Sequence, residues 1–158
     1  MNCAPMTDPV LEFSEDRFLG GQLCLKQLKS GHRAGHDAVL LAAATAARPG
    51  DRVADLGAGV GAAGLAVARR VTGIDLVLVE IDAALAGLAR ANADANSIQA
   101  NVIVLDVEAD AAAFAAAGLT PDSVDAVLMN PPFNDPARHR VSPDTARGIA
   151  HLATATTL

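Results

Sequence analysis

The stretch of this sequence best suited to chemistry is Asn130-Pro131-Pro132-Phe133. Two consecutive prolines fix the backbone and remove two N–H donors. What remains is a pair of acceptors, the Asn130 side-chain oxygen and the Pro131 carbonyl, beside the flat ring of Phe133. Such a pair suits an NH2 group on a planar substrate. An exocyclic or amide nitrogen is a poor nucleophile because its lone pair is delocalised into the adjoining π system. Holding both hydrogens on acceptors favours a more pyramidal nitrogen and aims the lone pair at an electrophile. Rate then comes from positioning and charge placement more than from a strong base. The competing reading is a Pro-Pro loop that merely ends a strand.

A second chemical signal is Asp55-Leu56-Gly57-Ala58-Gly59-Val60-Gly61, placed between a strand and a helix. Glycines there allow positive φ and let the backbone approach a ligand closely. Two cofactor readings fit. Gly59-Val60-Gly61-Ala62-Ala63-Gly64 matches the dinucleotide fingerprint, with Glu80 at about the interval of a ribose ligand. Asp55 through Gly61 instead matches an acidic residue followed by GxGxG, the first motif of S-adenosylmethionine-dependent methyltransferases. Asp55 favours the second. Its carboxylate repels a pyrophosphate but attracts, directly or through water, the ammonium of the methionine moiety. On this reading Gly57, Ala58 and Gly59 form the cofactor loop. Glu80 accepts from both ribose hydroxyls and Ile81 packs on the adenine. Asp106 accepts from the adenine amino group and the Val107 backbone reaches a ring nitrogen. Asp106 as a helix N-cap and Glu80 as a solvated strand end are the structural alternatives.

These residues must be held by an alternation of strands and helices. Asp37 is a candidate N-cap for a helix over Ala38 to Ala47, stopped by Pro49-Gly50. Strands follow at Arg52 to Leu56, Leu76 to Glu80, Asn101 to Leu105 and Val124 to Met129. Helices lie between them: one ending near Arg70, one capped by Asp82 and running to about Ala95, and an alanine-rich one broken at Gly118 and Pro121. The pattern predicts an α/β fold with a mostly parallel sheet and helices on both faces. Ligands in such sheets sit at the C-terminal ends of strands. Asp55, Glu80, Asp106 and Asn130 all fall at those ends. Residues 1–36 differ in character. Leu23 and Leu25 alternate with Gln22, Cys24 and Lys26, which predicts a hairpin-like extension ahead of a domain over 37–158.

The 158 residues suffice for one core, and alanine supplies much of the 51% hydrophobic content, so the helices should pack closely. A net charge of -6 requires any nucleic-acid binding to come from a local basic patch. Cys3 and Cys24 form no metal pattern and read as free thiols of a reducing compartment. No secretory signal is visible, and the longest apolar run falls short of the roughly 20 residues of a membrane span, so a cytoplasmic protein without a metal is expected.

At these motifs the sequence resembles class I methyltransferases with a Rossmann-like fold that act on planar nitrogens. These are the adenine-N6 enzymes of DNA and RNA and the release-factor glutamine methyltransferases. Phe18-Leu19-Gly20-Gly21, Gln27 and the run Gly31-His32-Arg33-Ala34-Gly35-His36-Asp37-Ala38-Val39-Leu40-Leu41 look like the bacterial tRNA(Val) adenine-N6 methyltransferases, a small-methyltransferase domain. The resemblance implies that this stretch closes over the cofactor, with Arg33 and Asp37 near its methionine end. It implies catalysis at Asn130, Pro131, Pro132 and Phe133. The family's domain has seven strands against the four found here, which implies a chain truncated on its C-terminal side. An uncovered strand predicts self-association through the sheet edge. Lys26, Lys29, Arg138, Arg140 and Arg147 are the candidate RNA contacts, on tRNA by this resemblance. Release-factor glutamine methylation, a non-catalytic cofactor-binding fragment and an NAD-dependent dehydrogenase are the other readings.

Overall fold

Runs of β-branched and leucine residues, separated by alanine-rich segments with Gly, Pro or Asp at their ends, fold as that alternation requires. The computed structural model describes residues 12–30 and 33–130. Two antiparallel strands, β1 (Phe13–Phe18) and β2 (Leu23–Leu28), form a hairpin closed by a short 3-10 turn at Leu19–Gly21. Then come α1 (His36–Ala44), β3 (Arg52–Leu56), α2 (Ala62–Arg70), β4 (Asp75–Glu80), α3 (Ala83–Ala95), β5 (Ala100–Val104), α4 (Ala111–Ala116) and β6 (Ala126–Met129). The last four strands make one parallel sheet in the order β5-β4-β3-β6.

The register decides where the site lies. Leu56 at the end of β3 sits between Val79 of β4 and Met129 of β6, and Glu80 faces Val104 of β5. The C-terminal ends of all four strands therefore share one edge of the sheet.

Side-chain alternation splits the core. Leu76 and Leu78 of β4 join Val53, Val102 and Leu128 on one face, covered by α1, α2, α3 and the hairpin leucines Leu23 and Leu25. Val77 and Val79 point to the other face, where Leu119 and the half-buried Phe114 of α4 cover them. The buried positions of the first three helices are largely alanine, so helix backbones lie close to the sheet. Each fully buried leucine is worth about 2 kcal/mol.

One cap differs from the sequence expectation, and one structural alternative falls away. Helix α1 starts at His36 with Gly35 as its cap residue and ends at Ala44. Asp37 therefore stands in the first turn and is not the cap. Asp106 caps no helix: it accepts the Glu108 N–H at 2.9 Å in a turn, and Asp110 caps α4 through the Ala113 N–H.

The hairpin is fastened to α3 by side chains that imitate a strand edge. The Asn96 amide accepts from the Cys24 N–H at 2.9 Å and donates to the Cys24 carbonyl at 2.7 Å. One helical turn earlier, Asn92 does the same to Lys26, at 2.8 and 3.1 Å. The two-residue rise of a strand and the four-residue rise of a helix are nearly equal, so residues 92 and 96 match alternate residues of β2. Gln27, 2% exposed, then ties the hairpin to the next segment by accepting from the Ala34 N–H at 2.8 Å.

Candidate active site at the carboxyl ends of the sheet

The loop from Gly57 to Gly61 leaves β3, with positive φ at Gly57, Gly59 and Gly61. That conformation favours glycine. It brings a series of N–H groups to the start of α2, a place where anions usually bind. Here several of those groups are already committed. The Gly57 and Ala58 N–H both donate to the Val79 carbonyl at 2.9 Å, and the Gly61 N–H donates to Ala58. The Gly59 N–H donates to Glu80 at 2.7 Å, and the Gly64 N–H, in the first turn of α2, donates to Asp55 at 2.8 Å.

Asp55 thus serves α2 as an N-cap reaching over from the neighbouring strand, because the cap residue Gly61 has no side chain to do so. It is 3% exposed. Burial pushes its carboxyl up, the Gly64 N–H works against that, and the Glu80 charge adds to the rise, giving a pKa of about 6. Gly64 is required by this packing. A Cβ there would lie 2.6 Å from Leu78 Cδ2 and 3.1 Å from Asp55 Oδ2.

Glu80, 7% exposed, accepts one backbone N–H on each oxygen, from Gly59 and from Asp82 at 2.9 Å. Each oxygen keeps one lone-pair direction for a further donor, which suits a vicinal diol. Ile81 and Val107 expose apolar side chains just beyond the ends of adjacent strands, as a planar base would need. These residues fit a nucleoside.

The opposite side of the site comes from α1. Asn130, the residue after β6, donates from Nδ2 to Asp37 Oδ2 at 2.6 Å. Burial is the largest single influence on Asp37 and raises its pKa. The hydrogen bonds from Asn130, Ala38, Gly35 and its own N–H together outweigh it and hold the carboxyl below its ordinary 3.8. Sequence reasoning named both residues but not the contact between them, because it spans 93 positions and no local pattern encodes it.

Other candidates make contacts on the hairpin or fall outside the described residues. Arg33 lies against the hairpin, pairing with Asp16 at 2.5 Å and donating to the Leu28 carbonyl. Lys29 pairs with Glu12 at 3.1 Å, and the Lys26 ammonium stands 4.5 Å from the Phe13 ring centre. Pro131, Pro132, Phe133, Arg138, Arg140 and Arg147 lie outside the described residues. Among the described residues no cluster of His, Cys, Asp and Glu could hold a metal, and no helix is long and apolar enough to cross a membrane.

Comparison with solved structures returns the same architecture. A predicted O-methyltransferase of Agrobacterium tumefaciens, Atu636, is 40% identical with a TM-score of 0.55, over 61% of this chain and 49% of that one. The 16S rRNA N2 G1207 methyltransferase of T. thermophilus, solved with AdoMet and guanosine, is 28% identical with a TM-score of 0.60, over 80% of this chain and 34% of that one. A SAM-dependent methyltransferase of A. tumefaciens shares the fold, at 17% identity and a TM-score of 0.58, over 80% of this chain and 42% of that one. The chain spans a third to a half of the length of these structures. No curated protein matches it. Residues 30–155 match the family model of the methyltransferase small domain, and the chain belongs to that family.

Proposed function

We propose that this chain is the cofactor-binding and catalytic part of an S-adenosylmethionine-dependent N-methyltransferase acting on the exocyclic N6 amino group of adenine in RNA, with tRNA as substrate. The observation that carries the cofactor reading is the commitment of the Gly59 N–H to Glu80 and of the Gly64 N–H, in the first turn of α2, to Asp55. A dinucleotide needs those donors and a positive helix end for its pyrophosphate. Here two carboxylates hold them, so a pyrophosphate meets negative charge. A cofactor with a cationic methionine end meets attraction.

When bound, S-adenosylmethionine supplies an electrophilic methyl group on a sulfonium. The chain's own residues do the rest. Glu80 holds the ribose diol, Ile81 and Val107 border the adenine, Asp106 accepts from its amino group, and Arg33 serves the methionine end. Asn130 Oδ1, left free by the Nδ2 contact, accepts one hydrogen of the substrate amine, and the Pro131 carbonyl accepts the other. Phe133 stacks on the substrate ring. An adenine has to be presented unstacked to reach this pocket.

The nucleobase reading draws support from the T. thermophilus relative, which by name methylates an exocyclic N2 of guanine in rRNA. A hydroxyl, the acceptor class in the name of the 40% identical relative, offers one hydrogen where this acceptor pair takes two. A glutamine amide of a release factor offers two and remains the second reading. The domain over 37–158, with residues 1–36 as its extension and cofactor cover, belongs to the same proposal, as does a cytoplasmic location.

The test is transfer of tritiated methyl from S-adenosylmethionine to total tRNA, against a release factor in parallel. Activity on tRNA that disappears in Asn130→Ala supports the proposal. Equal activity in the variant removes the role given to Asn130. Tighter binding of NADH than of S-adenosylmethionine refutes the cofactor reading.

A further inference from the structure

Resting on that reading, we propose that Asp37 is a positioning residue for methyl transfer: its carboxylate fixes the Asn130 side-chain amide with the nitrogen turned inward and the oxygen turned to the substrate amine. A primary amide can present either end. Rotated by half a turn, Asn130 would offer its NH2 to a substrate NH2, donor against donor, and the site would not hold the amine. An ionised carboxylate has no hydrogen to donate, so it accepts only the Nδ2 end. The contact is 2.6 Å. Because the amide is planar, Oδ1 then points away from Asp37.

Asp37 itself is held in place. Its other oxygen accepts the Gly35 N–H at 3.1 Å, and the residue sits in the first turn of α1, where a negative charge is favoured. It is kept ionised by the hydrogen bonds that converge on it. An anion bound to the amide nitrogen also polarises the carbonyl and makes Oδ1 a stronger acceptor. The same negative charge lies near the substrate nitrogen, where positive charge builds as the new N–C bond forms. This role differs from a contact to the methionine end of the cofactor, and the two predict different behaviour.

The experiment compares the wild-type chain with Asp37→Ala and Asp37→Asn. The first measurement is the side-chain NH2 signals of protein labelled with 15N-asparagine, with Asn130→Ala to identify the Asn130 pair. The second is kcat, KM and cofactor binding by calorimetry, with S-adenosylmethionine and total tRNA. In the wild type one Asn130 amide proton is expected downfield and slow to exchange. Asp37→Ala loses that signature, and kcat falls roughly ten- to a hundredfold while cofactor affinity holds. Asp37→Asn, which keeps an acceptor without the charge, falls less. An unchanged Asn130 signal in Asp37→Ala, an unchanged kcat, or a loss confined to cofactor affinity overturns the positioning role. A wild-type chain that binds cofactor but methylates neither tRNA nor release factor overturns the functional reading, and this role with it. An active wild type with an unaffected Asp37→Ala overturns this role alone.

Discussion

Asp55 is buried at a cost, and the cost has a sign that can be measured. Its pKa rises from 3.8 to about 6 on folding, so the folded state prefers the neutral acid. The group's contribution to stability is full below pH 3.8 and is lost as pH climbs through about 6. Above that, the fold carries a penalty of about 3 kcal/mol. The carboxylate is retained there although an amide could accept the Gly64 N–H equally well. Replacement by Asn removes the titration and keeps an acceptor. Asp55→Asn should match the wild type in denaturant titrations below pH 4 and exceed it at pH 8, while binding S-adenosylmethionine more weakly. A stability gap that does not grow with pH would contradict this assignment of the charge.

At the scale of elements, the hairpin is the part whose attachment rests on a few named bonds. Asn96 holds Cys24, while Asn92 holds Lys26 and also donates to the Val60 carbonyl of the glycine loop at 3.0 Å. Loss of either amide leaves backbone groups of β2 unpaired, at about 1–3 kcal/mol for each buried group. Asn96→Ala should speed amide hydrogen exchange at Cys24 while Val77 and Leu78 in β4 stay protected. Asn92→Ala should do the same at Lys26 and, through Val60, also weaken cofactor binding, which Asn96→Ala should not. Equal effects of the two variants on binding would disconnect the hairpin from the loop. These contacts also show where sequence reading reaches its limit. The strand at Arg52–Leu56 and the Asp82 cap of α3 follow from local signals, a β-branched run before a glycine turn and a side chain reaching its own helix. Asn92 and Asn96 carry no such signal. On α3 they read as ordinary polar residues, and only the approach of β2 makes them buried partners. The start of α1 differs for a related reason: Asp37 has the composition of a cap, but its carboxylate is bound to Asn130, the residue after β6. The positions of Asp55, Glu80, Asp106 and Asn130 at strand ends were legible, because strand period and breakers fix them. The partner of each was not.

For the molecule as a whole, among the described residues the parallel sheet has β5 and β6 at its edges, and β6 carries exposed apolar side chains. Leu128 points into the core, while Val127 and Met129, on the opposite face of the strand, are 54% and 39% exposed. An edge strand with exposed apolar side chains is a template for a second chain. We therefore expect association of copies through β6. The net charge of -6 works against it at low ionic strength, and salt should strengthen it as the repulsion is screened. RNA binding, which draws on local basic groups against the same net charge, should weaken with salt. Sedimentation velocity over a range of concentration and salt separates the two trends. Val127→Lys places a charge on the edge without touching the Asp37–Asn130 contact, and should return the chain to a monomer with its cofactor affinity intact. A wild type that sediments as a monomer at every concentration, in low and high salt alike, would leave β6 as an edge that the chain tolerates without a partner copy.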